Sequence, residues 1–125
     1  MRYEIFISDE KVFVVVRIVG DFTRHVGVML AEKAISKASE YQITRYLFDL
    51  RNSLNTDSAF NKYAYAYQDM ARLNLDPQAR IALLTNPTDK SHDFVETVMH
   101  NAGFNVSLFS EEKFAVSWLS ENSHH

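Results

Sequence analysis

The chain has 125 residues, 46% of them hydrophobic, 13% aromatic and 23% charged, with a formal net charge of -3 and no cysteine. This is the make-up of one globular domain that buries roughly two-thirds of its unfolded surface without disulfides or a structural metal. It excludes thiolate catalysis, Cys-ligated zinc and redox switching, and the slight acidity argues against general nucleic-acid binding, which needs positive charge to displace counterions from phosphates.

The longest apolar run, Val12 to Val16, ends at Arg17, far short of the ~20 residues of a membrane-spanning helix. The N-terminus has neither an apolar core nor a small-residue cleavage site of the kind a secretory leader carries. The chain is therefore expected in the cytoplasm and not as an integral membrane protein. Residues 122–125, ending in His124 and His125, are read as a tail, native or tag-derived, outside a single domain of residues 1–121.

In chain order, Tyr3 to Ser8 alternates in the manner of a strand, Asp9-Glu10 marks a turn, and Lys11 to Val19 is a second, β-branched run. Together they predict an antiparallel hairpin stopped by Gly20. Asp21 or Thr23 is suited to cap a helix to about Tyr41, with Val28, Ala31, Ile35 and Ala38 along one side. Tyr46 to Leu50 reads as a strand covered on both faces. A polar loop, Arg51 to Ser58, then leads into a helix that begins at Asp57 or Ser58 and reaches about Leu73. Ile81 to Thr85 is a further buried strand, Asn86 to Asp89 a turn, and Lys90 to Ala102 a helix closed by Gly103. Asn105 to Phe109 is the last strand, and Ser110 is placed to cap a final helix whose first turn holds Glu111 and Glu112. The order β-β-α-β-α-β-α-β-α predicts an α/β fold: about five strands in a mostly parallel or mixed sheet and about four helices.

Several segments in this order resemble the STAS family, named for sulfate transporters and anti-sigma-factor antagonists. Val16-Arg17-Ile18-Val19-Gly20-Asp21-Phe22-Thr23 is similar to its second strand, and Phe48-Asp49-Leu50 with Asp57-Ser58-Ala59 to its third strand and switch loop. Phe94 to Phe104, Phe109-Ser110-Glu111-Glu112 and Ala115 to Leu119 are similar to its closing helix, strand and helix. The resemblance implies a STAS-like fold and a regulatory role through a protein partner. Where phosphorylation-controlled members carry a second hydroxyl residue and a glycine, this chain has Ala59 and Phe60. It therefore looks closer to an uncharacterised STAS-like branch, grouped with CRAL-TRIO-type lipid-binding domains.

In open α/β sheets, ligands sit beyond the carboxyl ends of the strands. That edge gathers Ser53, Asn55, Asp57 and Ser58, the candidate switch or partner loop, with Arg24 and Arg51 as cations for a small anion or a phosphorylated partner. Capping and turn formation explain the same residue types. The second helix is dense in aromatics: on a helical wheel Phe60, Tyr63, Ala64, Tyr67, Met70 and Ala71 share a face that reads as core, and Tyr65 lies opposite. Phe60, Tyr63, Tyr65 and Tyr67 are thus candidates for lining an apolar ligand or forming an interface, with Leu54, Phe60 and an exposed Tyr65 as the first choices for contact.

His92, Glu96 and His100 recur every four residues on the third helix. Two turns separate the histidines by about 12 Å of rise, too far to share an ion, and the row reads as a solvated face. Asp49 and Asp57 are conceivable paired carboxylates, although Asp49 within a strand is equally suited to an arginine such as Arg17 or Arg80. Ser58 has only His25 as a histidine at the same sheet edge. No phosphate-binding glycine loop, nucleophile elbow or zinc-protease motif is present. No cofactor and no metal are expected. The expected function is non-enzymatic recognition of a protein partner through this loop and helix. The alternative is a small carrier or sensor of an apolar, lipid-like molecule held between sheet and aromatic helix. An open sheet edge and the aromatic helix also each offer a place for a homodimer.

Overall fold

The computed structural model describes residues 1–121, so the tail at 122–125 lies outside the described residues. Strands β1 (Arg2–Ile7), β2 (Val14–Phe22), β3 (Arg45–Asn55), β4 (Arg80–Leu84) and β5 (Asn105–Phe109) form one sheet in the order β1-β2-β3-β4-β5. The β1–β2 pair is antiparallel and every other pair is parallel. Helix α1 is Arg24–Tyr41. Helix α2 spans residues 59–72 as an α-helical Ala59–Ala64, a π-helical turn Tyr65–Asp69 and a closing Met70–Arg72. Helices α3 (Asp93–Asn101) and α4 (Glu112–Ser120) follow.

The two faces of the sheet are covered unequally. Val14, Val16, Ile18, Phe48, Leu50, Ile81 and Leu83 pack with Leu30, Ala34, Tyr65, Met70, Val95 and Met99 from α1, α2 and α3. On the other face Val15, Leu47, Ala82 and Leu84 meet Ala115 and Leu119 of α4 alone. Strand β4 is buried at all of its positions, as a strand between two layers requires. Beneath the end of α4, Arg80 donates to the carbonyls of Trp118 and Glu121, and Arg45 to that of Leu119. Cations thereby meet the electronegative end of the helix.

Element order agrees with the expectation, and several boundaries do not. The first turn takes in Lys11 to Phe13, because the Ser8 hydroxyl accepts from the amides of Val12 and Phe13 and Lys11 adopts φ 59°. Gly20 does not stop β2: at φ 119° it continues the strand opposite Ser53. The segment after Leu50, expected as loop, extends β3 to Asn55 alongside β2. Helix α3 begins at Asp93 rather than Lys90, and α4 is capped at Glu111 rather than Ser110. Thr23 caps α1 through the Val26 amide, and Gly103 is left-handed at φ 101°. Among the described residues no helix is long and apolar enough to cross a membrane.

Candidate functional site

The site begins with an irregularity in β3. Arg17 and Val19 of β2 face Asp49 and Asn52 of β3, so three residues of β3 span what two of β2 span. This β-bulge resets the alternation. Arg51, Asn52 and Leu54 are exposed, whereas Ser53 and Asn55 turn inward and are buried. Two members of the expected switch loop are thus interior residues. The Ser53 carbonyl accepts from His92 Nε2 at 2.8 Å, and the Ser53 hydroxyl is buried without a partner. The Asn55 amide donates to Ser91 Oγ at 2.9 Å, tying the end of β3 to the start of α3.

The other two loop residues organise the helix entrance. Asn55 Oδ1 accepts from the Asp57 amide at 3.1 Å. The Asp57 carboxylate accepts from the Arg24 amide at 2.6 Å, the Ser58 amide at 3.1 Å and Asn61 Nδ2 at 2.7 Å. These donors, the Arg24 amide foremost, hold the Asp57 carboxyl below the usual Asp range. The chain's own carboxylate therefore fills the anion position at the start of α1 that the sequence offered to a ligand. Ser58 caps α2, its hydroxyl accepting from the Asn61 amide at 3.1 Å, and stays exposed.

Ala64 and Met70 are buried as the wheel has them, but the aromatic rings of α2 are reversed from its assignment. Phe60, Tyr63 and Tyr67 are 70%, 48% and 39% exposed, and Tyr65, expected outside, is 5% exposed. The buried positions are Ala64, Tyr65, Ala66, Asp69 and Met70. Two contacts with α1 decide this. Arg24 grips Asp69 in a two-pronged ion pair, with Nε at 2.6 Å and Nη2 at 3.1 Å. The Tyr65 ring lies over Gly27, so close that a methyl there would stand 2.8 Å from Cε1, and its hydroxyl donates to the Gly27 carbonyl at 3.4 Å. The π-helical turn inserts slack where both contacts are made, as π-bulges at functional sites often do. On the outside the Tyr63 and Tyr67 rings stack at 4.5 Å between centroids. Leu54, as expected, is also exposed.

Beside Tyr65 the core leaves a cavity of about 30 Å³ lined by apolar side chains and His92. It has room for about one water molecule, whereas ordinary ligand pockets run to roughly 300–1,000 Å³. His92, read as part of a solvated row, is buried at the head of α3, engaged with Ser53 and 3.6 Å from Asp89. Its capping position turns it toward β3, while His100 remains exposed.

The conceivable catalytic carboxylates are not brought together. Asp49 is held by Arg17 at 3.2 Å and by Arg51 at 2.8 Å. Arg51 extends to Glu112 of α4, and Arg80 serves the end of α4 instead. Burial pushes the Asp49 carboxyl up, and the hydrogen bonds and charge of Arg51 and Arg17 outweigh it, so its pKa is lowered. Asp57 belongs to the separate network at the starts of α1 and α2.

Three solved structures share this architecture. The anti-sigma factor antagonist SpoIIAA in its unphosphorylated form is 18% identical, with 98% of this chain and 100% of that chain covered and a TM-score of 0.58. The Bacillus cell fate determinant SpoIIAA in its phosphorylated form is 18% identical, with 94% and 99% covered and a TM-score of 0.56. An uncharacterized protein of the DUF3478 family from Shewanella loihica, with a SpoIIAA-like fold, is 16% identical, with 94% and 92% covered and a TM-score of 0.55. No protein-family model matches the sequence, and no curated protein does. The fold is STAS-like and SpoIIAA-like.

Proposed function

We propose that this chain is a non-enzymatic binding module that recognises a protein partner through the entrance and outer face of α2. The observation that carries the reading is the row of exposed aromatics Phe60, Tyr63 and Tyr67 directly after the Ser58 cap. Large rings turned to solvent are the side chains from which interface hot spots are built. Their presentation is rigid, because Asp57, Asn61, Asn55 and Ser91 fix the loop and Arg24–Asp69 fixes the helix. Ordering of this kind lowers the entropy lost on binding.

SpoIIAA is described as an anti-sigma factor antagonist and in phosphorylated and unphosphorylated forms. That supports regulation through a protein. In this chain the loop reads Asp57-Ser58-Ala59-Phe60, so the partner surface is aromatic where a phosphoswitch would carry a hydroxyl and a glycine. The small cavity beside Tyr65 supports surface recognition over the carrier alternative.

The test places a photo-crosslinking phenylalanine analogue at position 60 and, as a control, at Tyr41, another exposed aromatic. A discrete adduct from host lysate at position 60 alone, identified by mass spectrometry and lost with Tyr63→Ala in a protein of unchanged melting, is the expected result. Equal labelling from both positions would remove α2 as the recognition surface. Native mass spectrometry showing a co-purified fatty acid would favour the carrier instead.

A further inference from the structure

Strand β1 is an edge of the sheet and, among the described residues, pairs on one side only. The hydrogen bonds of an antiparallel ladder alternate, so one bond shows which residues face the neighbour and which face outward. The Ser8 amide donates to the Phe13 carbonyl at 2.9 Å. In the unbroken register from Ile7↔Val14 to Arg2↔Val19, the even-numbered residues therefore bond to β2. The amides and carbonyls of Tyr3, Ile5 and Ile7 point to the free edge.

Natural sheets blunt such edges with lysine, proline or a bulge. The sequence Arg-Tyr-Glu-Ile-Phe-Ile has no lysine or proline, and its register has no bulge. Its two charges, Arg2 and Glu4, are opposite in sign, two residues apart and on one face of the strand. An antiparallel copy paired about Tyr3 would set Arg2 of each chain against Glu4 of the other, in the non-hydrogen-bonded position where side chains approach most closely. Pairing about Glu4 would oppose two carboxylates, and pairing about Ile5 would set Glu4 against Phe6. The charges thus select one register. The same half of the strand borders an open groove of about 470 Å³ lined by Met1, Arg2, Tyr3, Glu4, Arg17 and Val19, and the Tyr3 ring is 42% exposed. The opposite edge, β5, reads Asn-Val-Ser-Leu-Phe and has no charge pair to fix a register.

We propose that the free edge of β1 is a self-recognition surface on which two copies of this chain pair antiparallel about Tyr3, joining their sheets across a two-fold axis. Its occupant is a second copy because the strand is complementary to itself in backbone and in charge. The surface is separate from α2, so the two can be tested apart.

The test is sedimentation equilibrium over a broad concentration series. Wild type is expected to self-associate, and Arg2→Glu and Glu4→Arg each to weaken it by roughly tenfold or more, because two symmetry-related pairs turn from attraction to repulsion. An equimolar mixture of the two variants, and the double exchange in one chain, are expected to recover it. Glu4→Arg sets a second cation opposite Arg17, so thermal melting accompanies each variant, and Arg2→Glu, which spares that neighbour, carries the test if the other fails to fold. A wild type that stays monomeric throughout, or single variants that dimerise as wild type does, would overturn the proposal.

Discussion

The two sides of α2 show how differently one helix uses the same residue type. Inward, Tyr65 is clamped between Gly27 and Phe22, edge-on to the Phe22 ring at 6.2 Å between centroids, among small neighbours Ala64 and Ala66. Burial holds the Tyr65 phenol protonated, far above its ordinary pKa. Outward, Tyr63 and Tyr67 stack on each other and remain exposed. The inner tyrosine closes the core, and the outer pair leaves apolar area uncovered. The lesson is that burial follows the space a neighbour leaves: α1 presents Gly27, and the Tyr65 ring takes the room that its missing side chain leaves.

Substitution should break this contrast in a graded way. Tyr65→Ala removes a fully packed ring and is expected to destabilise by about 3–5 kcal/mol, a large share of an ordinary domain's stability. Phe60→Ala on the outer side should stay within about 0.5 kcal/mol. Paired denaturant titrations read both, and similar losses would contradict the inside–outside assignment. Gly27→Ala comes next. Alanine favours a helix by about 1 kcal/mol, but its methyl would stand 2.8 Å from Tyr65 and 3.0 Å from Phe22, and overpacking typically costs about 1–3 kcal/mol. A net loss of about 1 kcal/mol is expected in thermal melts, whereas a rise in Tm would mean that the Tyr65 ring gives way freely.

The smallest effect concerns the entrance to the outer face. Because the folded Asp57 pKa is depressed, its stabilisation is complete above the ordinary Asp value of about 3.9. It declines below that value and is gone once pH has fallen through the folded pKa. Asp57→Asn should cost about 1 kcal/mol at neutral pH and flatten the acid limb of the stability profile. An unchanged limb would assign acid sensitivity to Asp49, whose pKa is lowered as well.

Much of this was legible in the residues. Thr23 and Ser58, each one of two cap candidates, cap their helices, and of the two arginines expected for Asp49, Arg17 pairs with it and Arg80 does not. The wheel sets Tyr65 apart from Phe60, Tyr63 and Tyr67 and places Ala64 and Met70 in the core, as found; it errs in the side it gives the four rings. Two signals were available: the small residues Ala64 and Ala66 beside Tyr65, and Asp69, an acid within an apolar helix that asks for a cation. The cation is Arg24, 45 positions away, and no local pattern points to it. The bulge in β3 was equally hidden, because it exists only as a mismatch between two strands.

Local chemistry alone determined the order of strands and helices, their caps and the absence of cysteine chemistry, since each depends on neighbours a few residues apart. Only the tertiary structure decided that Ser53 and Asn55 lie inside, that Asp57 fills its own anion position and that three aromatic rings face outward. Each of these is set by a contact between segments distant in sequence, where packing space and charge partners are created by the fold itself.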